Sequence, residues 1–191
     1  HELRTPLNAI IGTSELLTGT ELDADQEEMV HTIRSSGGAL LSMIDNILDL
    51  SKIEAEKLAI IDASFDVHGS LADIFAMFRA QAARQGLAFL FFVDAQVHRQ
   101  LRGDAARLQQ ILINLISNAL KFTEHGRIVL TVECTSLPAS SLAVSLQFRI
   151  TDTGIGIPTA EQATIFDRFS QAQQTRERGY SGSGLGLAIS R

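Results

Sequence analysis

The sequence predicts an α+β protein: a helical hairpin followed by an α/β sandwich, in which helices cover one face of a mixed, mainly antiparallel sheet. Three observations predict this class. The start of the chain carries two long apolar seams at helical spacing. Residues 127–134 and 142–151 alternate apolar and polar side chains, as strands with one buried face do. Apolar residues make up 45% of the chain and aromatic residues only 6%, which favours Leu/Ile/Ala-seamed helices over an aromatic-rich β-sandwich.

Charge and cysteine content limit the classes of function. The formal net charge of −6 argues against a nucleic-acid partner, because phosphate backbones are bound by clustered Lys and Arg. The single cysteine, Cys134, excludes an internal disulfide and fits a reducing compartment. No apolar run is long enough to span a bilayer, and no signal peptide stands at the start. We therefore expect this stretch of chain to lie in the cytoplasm, whether or not its parent protein is membrane-anchored.

Two helices are predicted at the start of the chain because their apolar residues recur at steps of three and four. The seam of the first comprises Leu3, Leu7, Ile10, Ser14 and Leu17. That helix should end near residues 18–20, and Asp23 or Asp25 can cap the next one. The seam of the second comprises Val30, Ile33, Gly37, Leu40, Ile44, Ile47 and Ser51.

These helices form a hairpin that cannot bury both continuous seams alone, so a homodimeric four-helix bundle is predicted. The alternative, that the hairpin packs on the rest of the same chain, stays open. Gly37 and Gly38 conflict with the helix, at about 1 kcal/mol per glycine relative to alanine. A change of pattern near Lys57 predicts two domains, the hairpin over residues 1–57 and a second domain over residues 58–191.

The second domain reads as alternating strands and helices, which gives a sheet with helices on one face. The last two strands should pair antiparallel, and Pro138 with small polar residues marks the loop between them. The predicted elements are a short strand at 58–61, a helix at 67–83, a buried strand at 87–93, a helix at 107–122, and strands at 127–134 and 142–151.

A polar stripe runs along the helix predicted at 107–122, because its members return to one side at ~100° per residue. The stripe comprises Arg107, Gln110, Asn114, Asn118 and Lys121. Two asparagine carbonyls one turn apart offer neutral oxygen ligands to Mg²⁺ without repelling phosphate, and Lys121 adds positive charge. An ordinary solvated helix face is the alternative interpretation.

Two glycine-containing segments follow. Asp152 ends a strand just before Gly154 and Gly156, so its carboxylate can accept a hydrogen bond from a flat heterocycle such as adenine, although a simple turn is also possible. Gly179, Gly182 and Gly184 precede a helix start at Leu185–Ile189 that itself contains Gly186, and the unpaired amides of such a start suit a triphosphate. Neither segment matches G-x-G-x-x-G or G-x-x-x-x-G-K-[ST], which excludes Rossmann and P-loop sites.

Four motifs, in this order, resemble the H, N, G1 and G2 boxes of sensor histidine kinases, a family that includes hybrid members. They are His-Glu-Leu-Arg-Thr-Pro-Leu-Asn at 1–8, Asn-Leu-Ile-Ser-Asn-Ala-Leu-Lys-Phe-Thr at 114–123, Asp-Thr-Gly-Ile-Gly at 152–156 and Gly-Ser-Gly-Leu-Gly-Leu at 182–187. Phe166 and Phe169 resemble the F box. The resemblance spans almost the whole chain. It implies a dimerisation and histidine phosphotransfer hairpin, then an ATP-binding domain of the gyrase/Hsp90/histidine-kinase type, truncated at its C-terminal end.

The resemblance implies an ATP-dependent autokinase of a two-component system. It would transfer the γ-phosphate of ATP to His1 and then to an aspartate of a response-regulator receiver domain. Glu2 would orient the imidazole and take its proton. Thr5 matches the family position that orients a water for dephosphorylation, which implies phosphatase activity on the receiver. The implied catalytic residues are thus His1, Glu2 and Thr5.

The resemblance also implies the nucleotide site, with ATP and Mg²⁺ as cofactors and Asn118 as the Mg²⁺ ligand. The implied residues are Asn114, Asn118, Lys121, Asp152, Gly154, Gly156, Ile157, Phe169, Gly182, Gly184, Leu185, Gly186 and Leu187. Gyrase and Hsp90 ATPases have a water-activating Glu where this chain has Asn114, which is no base at neutral pH. ATP should therefore be bound but poorly hydrolysed, which disfavours an Hsp90-like or gyrase-like ATPase. A nucleotide-binding interaction module without kinase activity is the remaining alternative.

Overall fold

The computed structural model describes residues 2–136, 143–168, 170 and 184–190. The chain divides into two compact units, His1–Leu58 and Ala59–Arg191. Within the described residues, none of the helices combines the length and hydropathy needed to cross a membrane. The first unit contains helices α1 (Arg4–Leu17) and α2 (Ala24–Glu54). The second contains, in chain order, β1 (Ala63–Asp66), α3 (Val67–Arg84), β2 (Ala88–Val93), β3 (Gln100–Gly103), α4 (Ala105–Phe122), β4 (Arg127–Ser136), β5 (Ser145–Asp152), α5 (Thr159–Gln162) and α6 (Gly186–Ile189).

The first unit is the predicted helical hairpin. Asp23 caps α2, as predicted: its Oδ1 accepts a hydrogen bond from the backbone N–H of Gln26 at 2.8 Å, and Gln26 Oε1 accepts one from the backbone N–H of Asp23 at 3.1 Å. This reciprocal pair satisfies two backbone donors and fixes where α2 begins. Ser14 is buried in the seam, and its hydroxyl donates to the carbonyl of Ile11 at 2.7 Å. The polar group therefore does not go unsatisfied inside the helix pair.

Gly37 is the point of close approach between α1 and α2. A Cβ at this position would lie 2.9 Å from Cγ1 of Ile11, so no larger residue fits without movement. At the neighbouring Gly38 an added Cβ would meet open space. The expected conflict between glycine and helix is thus explained at Gly37 by packing. A second tie between the helices is the ion pair of Arg4 with Asp45, whose Nη2 and Oδ1 lie 2.7 Å apart.

Most of the predicted seam of the hairpin is exposed. Only four of its positions are buried, namely Leu7, Ser14, Val30 and Gly37. Large apolar side chains on both helices face solvent instead, among them Leu3, Ile10, Ile33, Leu40 and Ile47. Contiguous exposed apolar residues of this kind mark an interaction surface.

The second unit contains a mixed sheet of three strands in the order β2-β4-β5, and a separate antiparallel pair, β1 with β3. Strands β4 and β5 pair antiparallel, as predicted, with Leu130 opposite Ile150. Strand β2 runs parallel to β4, with Phe91 opposite Leu130. Antiparallel pairings therefore outnumber parallel ones in the described sheets, and the predicted α+β class is confirmed.

Helices α3 and α4 cover one face of the three-stranded sheet. The buried core comes from α3, α4, β2 and β4, and its side chains include Leu71, Ile74, Phe78, Leu112, Ile116, Leu120, Phe89, Ile128, Leu130 and Val132. The Phe75 ring stacks on those of Phe89 and Phe91, with centroids 4.9 Å and 5.6 Å apart. On the other face Leu90 and Phe92 are exposed. The helices therefore define a single buried face for this sheet.

The strand predicted at 58–61 is wrong: this segment has no regular structure, and its Ile60 and Ile61 are exposed. The first strand is instead β1, which begins at Ala63 and pairs with β3, a strand that the sequence did not predict. Because a four-residue strand is held by its distant partner rather than by its own apolar pattern, local periodicity could not locate this pair.

Two further predictions need adjustment. The strand predicted as buried, β2, buries only alternate residues, because no helix among the described residues covers the other face of its sheet. The apolar spacing of α4 predicts one inward arc, made of Leu108, Ile111, Leu112, Leu115, Ala119 and Phe122. In the structure Ile116 and Leu120 are buried beside Leu112 and Ala119, whereas Ile111 is only half-buried. The buried arc of α4 is thus rotated from the predicted one, because α4 contacts both α3 and the sheet and needs a wider apolar surface.

Candidate functional site

The polar stripe of α4 is not a solvated helix face. All five of its members are half-buried: Arg107, Gln110, Asn114, Asn118 and Lys121. At its start Arg107 Nη1 donates to Gln110 Oε1 at 2.7 Å. Long polar side chains on a solvated face extend into water, so the partial burial of this stripe favours a groove wall over the ordinary polar face.

Asn114 lies beside the glycine-rich end of the described chain. Its Nδ2 is 3.5 Å from the carbonyl oxygen of Gly186, and a Cβ on Gly186 would lie 3.5 Å from Asn114 Cγ. Leu185 is fully buried, and Gly184 has a φ of +67°, a left-handed conformation that favours glycine. The start of α6 is therefore held against the asparagine stripe by a buried anchor, and Leu187 within it is half-buried.

Lys121 stands near the C-terminal end of the stripe. Burial lowers the pKa of its ammonium below the ordinary value, and Nζ lies 4.8 Å from the centroid of the Phe122 ring. Partial desolvation makes the charged form less favourable, and a nearby anion would reverse that effect. The position thus suits a lysine that neutralises phosphate.

The turn after β5 is anchored to the C-terminal end of α4. The backbone N–H of Ile155 donates to the carbonyl of Phe122 at 3.2 Å, and a Cβ on Gly154 would overlap that same oxygen. Gly156 has a φ of +68°, and Ile157 is exposed. The predicted turn therefore adjoins the helix that carries the asparagine stripe.

Asp152, the last residue of β5, is exposed at the start of this turn. Its Oδ1 accepts a hydrogen bond from the backbone N–H of Gly154 at 2.9 Å, and among the described residues Oδ2 has no hydrogen bond. One oxygen thus holds the carboxylate in place, while the other remains an acceptor for a ligand. The hydroxyl of the adjacent Thr153 forms hydrogen bonds to the backbone of residues 125–127. The sequence analysis did not identify Thr153 as a site residue, and the one signal for it in the sequence is its position between Asp152 and Gly154.

The structure places the motif at the start of the chain in the hairpin unit. Glu2 lies just before α1 and Thr5 in its first turn, and both are exposed. Three residues of the predicted site, His1, Phe169 and Gly182, lie outside the described residues. The structure thus brings together the N, G1 and G2 segments in the second unit, and places the H-box residues it describes on an accessible helix end.

Two family models match the chain. The His Kinase A (phospho-acceptor) domain matches residues 1–56, and the Histidine kinase-, DNA gyrase B-, and HSP90-like ATPase matches residues 103–191. The chain is 41% identical over 191 residues to the sensory/regulatory protein RpfC of Xanthomonas campestris pv. campestris, covering 100% of this chain and 26% of RpfC. It is 40% identical over 189 residues to the signal transduction histidine-protein kinase BarA of Escherichia coli, covering 99% of this chain and 20% of BarA.

Solved structures agree with these relatives. The crystal structure of full-length ShkA in complex with AMPPNP superposes with a TM-score of 0.74 at 33% identity, over 99% of this chain and 38% of that one. The Acinetobacter baumannii histidine kinase AdeS gives a TM-score of 0.62 at 22% identity, over 100% of this chain and 83% of that one, which supports the fold alone. The chain spans about a quarter or less of the curated relatives named above. With a phospho-acceptor domain in its first unit and an ATPase domain in its second, the chain belongs to the protein-histidine kinases.

Proposed function

We propose that this chain transfers the γ-phosphate of ATP to His1 and then to an aspartate of a response-regulator receiver domain. The proposal rests on three features that meet at α4. They are the half-buried asparagine stripe, the turn at residues 152–157 (the Asp152 turn), which is fixed to the carbonyl of Phe122, and the start of α6, which lies against Asn114. A nucleotide site needs a hydrogen-bond acceptor for the base at one end and polar groups that bind the phosphates at the other, and these features supply both.

The base end is Asp152. Its Oδ2 accepts from the amino group of adenine, whereas guanine presents an acceptor oxygen at the corresponding position and is disfavoured. Gly154, Gly156 and Ile157 form the turn that carries this carboxylate. The solved structure of ShkA is a complex with AMPPNP, an adenine nucleotide, and this supports an adenine nucleotide as the ligand here.

The phosphate end is the asparagine stripe with the start of α6. Mg²⁺ is bound in phosphoryl-transfer sites through one or two protein ligands plus substrate phosphates and water. The described residues contain no group of three or more His, Cys, Asp or Glu side chains that could hold a metal ion. A Mg²⁺ ion that arrives with the nucleotide needs only one or two protein ligands, and the asparagine stripe offers them. Asn118 is the proposed ligand, with Asn114 and Lys121 beside it. Phe169, Gly182, Gly184, Leu185, Gly186 and Leu187 complete the proposed nucleotide site.

The acceptor is His1. Its neutral imidazole attacks the γ-phosphorus, the bond from phosphorus to the ADP oxygen breaks, and Glu2 takes the proton from the other ring nitrogen. Asn114 cannot activate water as a carboxylate would, so hydrolysis does not compete. Thr5 lies in the first turn of α1, one helical turn from His1 in sequence, and is proposed to orient a water when the receiver is dephosphorylated.

Dimerisation and receiver transfer complete the proposal. The exposed seam of α1 and α2 is proposed to pack against a second copy as a four-helix bundle, since a phospho-acceptor domain spans residues 1–56. Relatives named as sensory or signal-transduction proteins support the receiver as the next acceptor. For the parent protein we propose that this part of the chain works in the cytoplasm.

Incubation with Mg²⁺ and γ-labelled ATP tests the kinase. We expect label that survives alkali and is lost in acid, as a phosphoramidate is, and none in His1→Gln. His31→Gln, which alters an exposed histidine of α2, is the matched control and should keep its label. Label that resists acid, or that persists in His1→Gln, would contradict the assignment.

Binding measurements separate the kinase from a nucleotide-binding module without kinase activity. We expect Asn118→Ala to lose Mg²⁺-dependent ATP binding in calorimetry, while Ser117→Ala, at an exposed neighbour on α4, keeps it. Normal binding in the unmodified protein without any label on His1 favours the module. Unchanged Mg²⁺-ATP affinity in Asn118→Ala removes Asn118 as a ligand.

A further inference from the structure

The hydroxyl of Thr153 ties the Asp152 turn to the start of β4. It accepts a hydrogen bond from the backbone N–H of Arg127 at 3.0 Å and donates to the carbonyl of His125 at 3.1 Å. The backbone N–H of Thr153 adds a third bond, to the carbonyl of Arg127 at 3.2 Å. One residue thus holds three backbone groups of the turn that joins α4 to β4.

Gly126, in the turn between α4 and β4, leaves the space that the Thr153 hydroxyl occupies. Its φ is +107°, and a Cβ at this position would overlap the Thr153 hydroxyl. The carbonyl of Gly126 also accepts from the backbone N–H of Ala88, at the start of β2. The hydroxyl therefore occupies space that only glycine leaves open, in a turn that is itself fixed to the sheet.

Four successive residues of the turn after β5 have different roles. Asp152 presents its carboxylate, Thr153 bonds to residues 125–127, and Gly154 with Ile155 contacts the carbonyl of Phe122. The two anchors follow the carboxylate directly in sequence, one reaching the start of β4 and the other the end of α4. Losing the Thr153 hydroxyl would remove the side-chain bonds to residues 125–127 and leave Asp152 placed by backbone pairing, by the N–H of Gly154 and by the bond of Ile155 to Phe122.

We propose that Thr153 is a positioning residue for base recognition: its hydroxyl fixes where the Asp152 carboxylate meets adenine, and so sets the preference for ATP. The inference rests on the proposed role of Asp152 as the adenine acceptor. A hydrogen bond is directional and weakens steeply when misaligned, so a small displacement of the turn costs the adenine contact while leaving the phosphate contacts intact.

The test compares affinities for Mg²⁺-ATP and for purine riboside triphosphate, which lacks the 6-amino group, in Thr153→Val and Thr153→Ser. A hydrogen bond to a charged group is worth about tenfold or more in affinity, which is the preference for ATP expected in the unmodified protein. We expect Thr153→Val to reduce that preference to roughly threefold or less by misaligning the same bond. Thr153→Ser, which keeps the hydroxyl, should retain it.

The matched control is Thr151→Val, two residues earlier on β5, because the Thr151 hydroxyl has no hydrogen bond among the described residues. It should leave the preference unchanged. A merely structural threonine would lower stability, or weaken both nucleotides equally, without changing their ratio. If Thr153→Val is not folded by circular dichroism, Thr153→Ala removes the same hydroxyl with a smaller side chain and serves instead.

A double substitution tests whether Thr153 acts on the preference for ATP through Asp152. If Thr153 acts through Asp152, adding Thr153→Val to Asp152→Asn should cause no further loss of preference. A preference for ATP that survives in Thr153→Val, while Asp152→Asn abolishes it, overturns the inference and leaves the adenine role of Asp152 intact. A preference that survives in Asp152→Asn overturns the base-reading role itself, and the positioning role with it.

Discussion

At the scale of single residues, two glycines of the same turn are required for different reasons. Gly154 is excluded from carrying a side chain by the backbone, since a Cβ would overlap the carbonyl oxygen of Phe122. Gly156 has open space around its Cβ position but a φ of +68°, where an L side chain is strained. The sequence motif shows two glycines. Only the structure shows that Gly154 is required by close packing and Gly156 by its backbone conformation.

These reasons predict unequal effects of alanine. Gly156→Ala should cost about 1–2 kcal/mol of stability, the strain of a left-handed conformation. Gly154→Ala should cost more, because backbone atoms of α4 and the turn must separate, and it should weaken ATP binding. Denaturant unfolding and calorimetry on the pair check this. Equal losses in the two variants would contradict the packing role of Gly154.

At the scale of elements, the start of α4 depends on a carboxylate with two backbone partners. Asp104 accepts from the N–H of Ile61 at 3.0 Å and from that of Arg107 at 3.1 Å. These two hydrogen bonds, that of Ile61 first, hold the pKa of Asp104 below its ordinary value of 3.8. The cap therefore also fixes the irregular segment before β1 to the helix that carries the candidate site.

The sign of this shift predicts how stability depends on pH. A lowered pKa in the folded state means stability that is present above about pH 4 and lost as pH falls through the folded-state value. Asp104→Asn can still cap Arg107 but cannot accept from Ile61 with its amide nitrogen. The variant should thus be less stable than the unmodified protein at pH 7, with the gap closing in acid.

Urea unfolding at pH 7 and near pH 3 measures that gap. Asp73→Asn is the control, because it removes one negative charge from an exposed position of α3 that has no hydrogen bond among the described residues. A gap for Asp104→Asn that is the same at both pH values would count against the double acceptor.

The two glycines of α2 offer a second comparison at this scale. Gly38→Ala should stabilise the protein by about 0.5–1 kcal/mol, because alanine favours a helix and its Cβ meets open space. At Gly37 the same gain is opposed by overlap with Ile11, so Gly37→Ala should stabilise less or destabilise. Thermal or denaturant unfolding ranks the two. Greater stability for Gly37→Ala than for Gly38→Ala would show that the close contact of α1 and α2 is unimportant.

At the scale of the whole molecule, the hairpin exposes what a partner should bury. Ile33, Leu40 and Ile47 recur at seven-residue steps along α2, and all are exposed. Side chains at this spacing lie on one helix face, as the seam of a bundle requires. The proposed second copy would cover this face.

Leu40→Glu tests the proposed dimer. Burying a leucine is worth about 1.5–3 kcal/mol, and a charge placed there must be desolvated, so the dissociation constant of the dimer should rise at least tenfold. Ser42→Glu, two positions on and exposed, introduces the same charge on another face of α2 and should leave the dimer intact. Sedimentation equilibrium on both variants decides it, and an unchanged dissociation constant in Leu40→Glu would contradict the seam.

The sequence alone determined what depends on neighbouring residues. Helical periodicity located α1, α2, α3 and α4, alternation located β4 and β5, and Asp23 was identified as a possible cap of α2. The four motifs identified the family, which both family models confirm. Such features follow from side-chain period, capping chemistry and short motifs, all of which act over a few residues.

The tertiary structure decided what depends on residues far apart in the chain. It paired β1 with β3, set β2 parallel to β4, and left one face of β2 exposed. It also joined Thr153 to residues 125–127 and gave Gly154 its reason in the carbonyl of Phe122. The sequence could not supply these facts, because a hydrogen bond or an overlap between distant residues exists only once packing has brought their backbones together.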